Sequence, residues 1–181
     1  SKKQQKRFLR DSLPALLLRI DPTIEQGKIV CQLGSGDAET ALQAALHVHR
    51  DVASIDINHG CPKKFSVSGG MGSALLSDPD RACRIIRTLS NELSTSAYNP
   101  IPVSAKIRLL KDTQSTLDFC TALVNTGVKA IAIHGRRVGD KDVESADWKT
   151  LEEVVSLATS KFDVPILVNG DFYTRDEFQS F

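Results

Sequence analysis

Short apolar runs alternate with longer amphipathic ones along this chain. Residues 28–33 (KIVCQL), 52–57 (VASIDI), 101–107 (IPVSAKI), 129–134 (KAIAIH) and 164–168 (VPILV) each read as a strand. An apolar run at 16–20 reads as a further short strand, and 21–27, with Pro22 and Gly27, as a turn region. Between the strands, residues 38–49, 81–93, 112–125 and 148–159 have helical spacing. Asp37 or Ser35 can cap the first helix, Asp78-Pro79 opens the second, and Gly127 stops the third. Residues 58–77 and 135–147 read as long polar loops. The strand runs are continuously apolar, as expected when both faces of a sheet are covered. The alternation predicts an α/β protein with a parallel sheet under helices.

Strands and helices in strict alternation fit a (β/α)8 TIM barrel, of which about five strands are present. Thr174 and Glu177 have capping-box spacing, so a helix should start there, yet the chain stops at Phe181. The expectation is an incomplete barrel. Residues 1–27 would form a basic arm with a short strand and turn, and 28–181 a partial catalytic domain.

Composition narrows the class. Hydrophobic residues are 41% and charged residues 25% of the 181, ordinary for a globular domain. No apolar run approaches the ~20 residues that span a bilayer, and no secretory pattern follows the basic start. Cys31, Cys61, Cys83 and Cys120 form no CxxC pair, which argues against a disulfide framework and a structural zinc site. The reducing cytosol or nucleus is the expected compartment. A net charge of +1 announces no nucleic-acid partner, although Lys2, Lys3, Lys6, Arg7 and Arg10 make the start one-sided. That arm is either solvated or RNA-touching.

Candidate chemistry collects just after the strands. Gln32 ends the first, Asn58 and then Cys61 follow the second, and Lys106 and Arg108 end the third. His134 and Arg136 end the fourth, and Asn169, Gly170 and Asp171 the fifth. In an alternating barrel these ends share one face, where active sites lie. Lys106, His134, Gln32 and Asn169 are donors for an anionic or carbonyl-rich ligand, and Gly170 admits close backbone approach to a phosphate. Flavin mononucleotide (FMN) fits, as do other phosphorylated ligands. Gly34-x-Gly36 is not a dinucleotide fingerprint, because Glu39 occupies the third glycine position. Gly69-Gly70-Met71-Gly72 lacks the Lys and Ser/Thr of a P-loop. Cys31, Cys83 and Cys120 read as core thiols, and Asp56, inside an apolar strand, as a partner for a buried donor.

Residues 56–80, DINHGCPKKFSVSGGMGSALLSDPD, resemble the catalytic segment of the tRNA-dihydrouridine synthases. CQLGSGD (31–37), AKIRL (105–109), AIHGR (132–136) and VNGD (168–171) follow the same family's order. The likeness is strongest to the eukaryotic class that modifies a D-loop uridine at tRNA position 20. It implies an FMN-dependent enzyme that uses NADPH or NADH to reduce that uridine to 5,6-dihydrouridine. Carried over residue by residue, Cys61 would be the acid that protonates uracil C5, and Asn58 would position the base. Lys106, His134 and Gln32 would hold the flavin ring, and Asn169, Gly170 and Asp171 its ribityl-phosphate end. From residue type and place, Lys63, Lys64, Arg108, Arg136 and Arg137 are candidate contacts for tRNA phosphates, with solvated surface charge the competing reading for Lys64 and Arg137. No metal is implied, and a monomer is expected. Two other readings stay open: a flavin barrel acting on a free pyrimidine, and a truncated, non-catalytic RNA-binding homologue.

Overall fold

The computed structural model describes residues 18–25, 27–95, 100–140 and 144–181. Five parallel strands form one sheet: β1 (Val30–Leu33), β2 (Ser54–Asn58), β3 (Val103–Leu109), β4 (Ala130–Arg137) and β5 (Ile166–Asn169). They pair in sequence order, β1-β2-β3-β4-β5. The helices are α1 (Pro22–Glu25), α2 (Ala38–Val48), α3 (Lys64–Ser68), α4 (Pro79–Ser94), α5 (Thr113–Val124), α6 (Trp148–Lys161) and α7 (Arg175–Ser180). Sequential order is barrel-like; a doubly wound sheet would reverse order midway. The sheet is open, with β1 and β5 at its edges among the described residues.

The helix starts follow the sequence signals. Asp37 accepts from Thr40 N, Asp78 from Arg81 N with Pro79 in the first turn, and Asp112 from Ser115 N. Thr174 and Glu177 complete the capping box of α7. Gly127 closes α5 with φ +91°, a conformation that a Cβ would strain. On α4 the buried positions Ala82, Ile85, Ile86, Leu89 and Leu93 recur every three or four residues, so one stripe faces the sheet. That stripe meets Ile55, Ile57, Ala105 and Ile107 in a continuous core that also takes in Ile131, Ile133, Leu123 and Leu151. Truncating a buried isoleucine such as Ile133 to alanine costs about 2–5 kcal/mol.

Several expectations are corrected. Residues 18–20 form no strand and Leu18 is exposed; 16 and 17, like the basic arm, lie outside the described residues. The 21–27 turn contains α1. The loop after β2 holds α3 and a 3-10 helix, Gly72–Ser77. β4 runs on through Arg137 instead of ending at His134. The strands are also not covered on both faces. β3 alternates buried and half-buried along its length, and β4 does so through Gly135. Val103, Ala105, Ile107 and Leu109 point to the helices, whereas Ser104, Lys106 and Arg108 line the concave inner face. Period-2 alternation is weak in the sequence because small residues such as Ala130 and Ala132 stand at inner positions.

Candidate active site

Register places the strand-end residues. Gln32 pairs with Asp56, Asp56 with Ser104, Asn58 with Lys106, and His134 lies between Arg108 and Asn169. All of these point to the inner face, because side chains two apart share a face. At the C-terminal ends of β1 to β4 a cavity of about 210 Å³ is lined by Gln32, Asn58, Gly60, Cys61, Lys106, Arg108 and His134. The structure therefore brings together Gln32, Asn58, Cys61, Lys106 and His134.

The loop that carries Cys61 is held at three points. Asn58 Oδ1 accepts from Gly60 N (3.0 Å) and Cys61 N (2.8 Å). Arg108 Nε donates to Gly60 O at 2.8 Å, and its Nη1 reaches Arg137 O at 3.3 Å. Ser73 N donates to Cys61 O at 3.0 Å. Gly72 makes the last contact possible. It has φ +61°, and a Cβ there would meet Cys61 O at 2.6 Å and Cys61 Cβ at 3.0 Å. The glycine run is thus a close-packed wall behind the cysteine.

A second group assembles at the ends of β4 and β5. Arg136 Nη2 donates to both Asp171 oxygens at 2.8 Å, and the pair is 12% and 16% exposed. Asp171, itself at φ +57°, also accepts from Ala146 N and Tyr173 OH. A cavity of about 460 Å³ lies between Arg136, Glu144, Ser145, Ala146, Trp148, Asp171 and Tyr173. Gly170 is buried at φ +134° against Gly135 and Ala146, and its carbonyl accepts from Trp148 Nε1 at 2.9 Å. Asn169 is exposed beside this group, and Lys63, exposed at the start of α3, lines neither cavity.

The sequence pattern of the dihydrouridine synthase (Dus) family matches residues 14–181. This chain belongs to the dihydrouridine synthase family. It is 43% identical over 170 residues to the tRNA-dihydrouridine(20) synthase [NAD(P)+] of Schizosaccharomyces pombe, covering 94% of this chain and 35% of that protein. The Saccharomyces cerevisiae protein of the same description is 39% identical over 165 residues, covering 90% and 42%. The chain thus spans well under half the length of these curated relatives. A dihydrodipicolinate synthase from Agrobacterium tumefaciens matches with a TM-score of 0.53 at 13% identity, over 77% of this chain and 42% of that one. A phosphonopyruvate hydrolase matches with a TM-score of 0.53 at 13% identity, over 85% and 62%. These two likenesses speak for the fold alone: an α/β barrel of the TIM type, not closed by the five strands here.

In this dihydrouridine synthase family member the cavity is electropositive. Burial, then the charge of Arg108, lowers Lys106 to about 8, against a smaller opposing pull from Asp56. Burial, then the charges of Lys106, Arg108 and Arg136, lowers His134 to about 4. His134 is therefore neutral at physiological pH. Its Nδ1 accepts from Arg136 N at 3.0 Å, which leaves the ring proton on Nε2. His59 turns the other way, into the helix layer against Phe119, where burial pushes it down to about 4. Nδ1 of His59 donates to Ile57 O, and no side chain among the described residues partners its buried Nε2. No group of three or more His, Cys, Asp and Glu among the described residues is arranged to hold a metal.

Sequence reasoning missed the supports. It read Arg108 as a phosphate contact, whereas its guanidinium ties the Cys61 loop to β4. The glycine run reads from sequence as either a flexible lid or a close-contact loop, and Gly72 is packed on Cys61. The left-handed φ at Gly72 had no local signal beyond the glycine itself.

Proposed function

We propose that this chain is the flavin-binding core of a tRNA-dihydrouridine synthase that reduces a D-loop uridine at position 20, with NAD(P)H as electron source. The observation that carries this reading is the meeting of Cys61, Lys106, His134, Gln32 and Asn58 in one cavity at the strand ends. The relatives' names supply the substrate class.

The donor set fits FMN. Lys106 Nζ has a bond of only 3.4 Å to Ile107 O, and no carboxylate of the described residues lies within salt-bridge distance of it. An ammonium so weakly satisfied in a half-buried cavity suits an electron-rich ring edge. His134 offers an Nε2 proton beside it, and Gln32 its exposed amide. Asn169 and Gly170 would help hold the ribityl-phosphate end, as the family resemblance implies, and Asp171 would brace that turn through Arg136. Held by Lys106, His134 and Gln32, a reduced FMN would supply the hydride for uracil C6. The Cys61 thiol gives its proton to C5, which completes saturation of the C5–C6 bond. Asn58 holds the Cys61 backbone so that the thiol faces the cavity. Lys63, exposed beside Cys61, meets tRNA phosphate, and Arg136 can do so at the rim of its pair with Asp171. The target base must leave its stack to reach the cavity floor. We place the protein with tRNA in the cytosol or nucleus, acting as a monomer.

The test is to incubate the full-length protein, FMN and NADPH with unmodified tRNA and map dihydrouridine by nucleoside mass spectrometry. Dihydrouridine at position 20 is expected. Reduction of free uracil with no product in tRNA would replace this reading with a free-pyrimidine enzyme. A protein that binds tRNA but neither flavin nor NADPH would leave only an RNA-binding role.

A further inference from the structure

Asp56 lies on the inner face of β2 below the Cys61 cavity, 8% exposed, and does not line it. Its Oδ2 accepts from Gln32 Nε2 at 2.7 Å, and its Oδ1 from Ser104 Oγ at 2.6 Å. A carboxylate offers acceptors only. Gln32 must therefore turn its amide nitrogen to Asp56, which turns its Oε1 to Asn58. Asn58 Nδ2 donates to that oxygen at 2.8 Å. Asn58 must then present Oδ1 to the loop, where it accepts from Gly60 N and Cys61 N. With either amide reversed, like would face like: an NH2 against backbone N–H groups, or a carbonyl against a carboxylate. The acceptor at the foot and the backbone donors at the head select one direction for every bond between them.

We propose that Asp56 is a positioning residue for Cys61: by fixing the amide orientations of Gln32 and Asn58, it holds the cysteine's backbone N–H and so aims the thiol into the cavity. This rests on the reading of Cys61 as the acid. Arg108 and Ser73 hold the same loop independently, so losing Asp56 misdirects the thiol without releasing the loop. Asp56 also acts through space on Lys106, and a test must separate the two influences.

Asp56→Ala and Asp56→Asn separate them in the full-length protein. Asparagine lacks the charge, but its Oδ1 can still accept from Gln32 while its Nδ2 donates to Ser104, whose hydroxyl can accept. Three readouts are needed: oxidation of the NADPH-reduced protein by tRNA, its reduction by NADPH, and alkylation of Cys61 by iodoacetamide followed by peptide mass. Asp56→Ala should slow the tRNA step by about ten- to a hundredfold, the usual scale for a displaced reacting group. Reduction by NADPH and the KM for tRNA should move less than about threefold, since neither uses the thiol. Asp56→Asn should recover most of the loss. Alkylation of Cys61 should rise at least about threefold in the alanine variant and fall back in the asparagine one. Asp56→Ala made in an Asn58→Ala background should cost little more. Equal losses in both Asp56 variants would overturn the proposal in favour of a charge effect on Lys106, as would an NADPH step slowed as much as the tRNA step. Should Asp56→Ala not fold, Gln32→Leu cuts the same chain at an exposed position. Unchanged Cys61 alkylation in its flavin-free form would then overturn the proposal. A wild-type protein inactive on tRNA would defeat the function proposed above, while the alkylation comparison still decides the role of Asp56.

Discussion

The cavity at Cys61 and the cavity at Trp148 sit on the same face of the sheet and are built on opposite plans. Around Trp148 the cations are paired with carboxylates: Arg136 with Asp171, and nearby Arg137 with Asp147 at 2.9 Å. Its wall is aromatic, with Trp148 stacked on Phe172 at 4.9 Å and Phe172 edge-on to Phe181. Around Cys61 no carboxylate of the described residues forms a salt bridge with the cations. Lys106 and Arg108 crowd a neutral His134, and the acid that acts on Lys106, Asp56, is engaged by two neutral donors. Paired charges stabilise and shape a turn; uncompensated ones hold a potential ready for a ligand.

Substitutions can break that contrast. Cys61→Ala should lower dihydrouridine formation by about 10²–10⁴-fold, the usual worth of a general acid, and leave flavin reduction by NADPH intact. Stopped-flow traces of the two half-reactions check this, and a normal tRNA-dependent step would remove Cys61 from the mechanism. Gly72→Ala strains a left-handed backbone and pushes on Cys61 Cβ, so turnover should fall about ten- to a hundredfold while FMN stays bound. Lys106→Met should weaken FMN binding about tenfold or more, as loss of a charge-assisted bond predicts. In the flavin-free wild type, affinity should fade as pH rises through about 8, where Lys106 loses its proton, and the methionine variant should lack that limb. Fluorescence titration across pH tests both statements.

The paired region should respond in stability first. Asp171→Asn leaves Arg136 without its carboxylate and should cost roughly 1.5–3 kcal/mol in denaturant unfolding, with a smaller fractional loss of turnover than Cys61→Ala. The smallest effect concerns acid. His59 and His134 are both lowered from the ordinary histidine value to about 4 in the folded protein. Between pH 6.5 and 4 the unfolded chain therefore binds more protons than the native one. Their contribution is complete above 6.5 and is lost as pH falls towards 4. The melting temperature should drop over that window, and His59→Leu should flatten the slope; an unchanged slope would count against the buried neutral histidine.

Much of this was readable from the chain. Helix caps at Asp37, Asp78 and Thr174 are local chemistry, and each holds in the structure, while Asp112, read as helical, is the cap of its helix. The strand-end residues could be found because a barrel puts every strand's C-terminal end on one side. Leu18–Ile20 misled because an apolar run becomes a strand only where a neighbour offers its backbone. Lys63 and Asp171 have the right residue types near the right strands, but only folding shows one exposed beside a helix start and the other spent on Arg136.

The sequence by itself determined the order and kind of the five sheet strands and the long helices between them, the parallel sheet, and the family to which the Cys61 segment belongs. These depend on periodicity, capping and contiguous motifs, all of which act over a few residues. Tertiary structure alone decided which face of each strand is core, that Arg108 braces a loop 48 residues away, and that Asp56 reaches Asn58 through Gln32. Hydrogen-bond direction is a property of pairs. A carboxylate fixes the orientation of an amide only once the sheet register has set Asp56 between Gln32 and Ser104, and no stretch of chain taken alone holds that information.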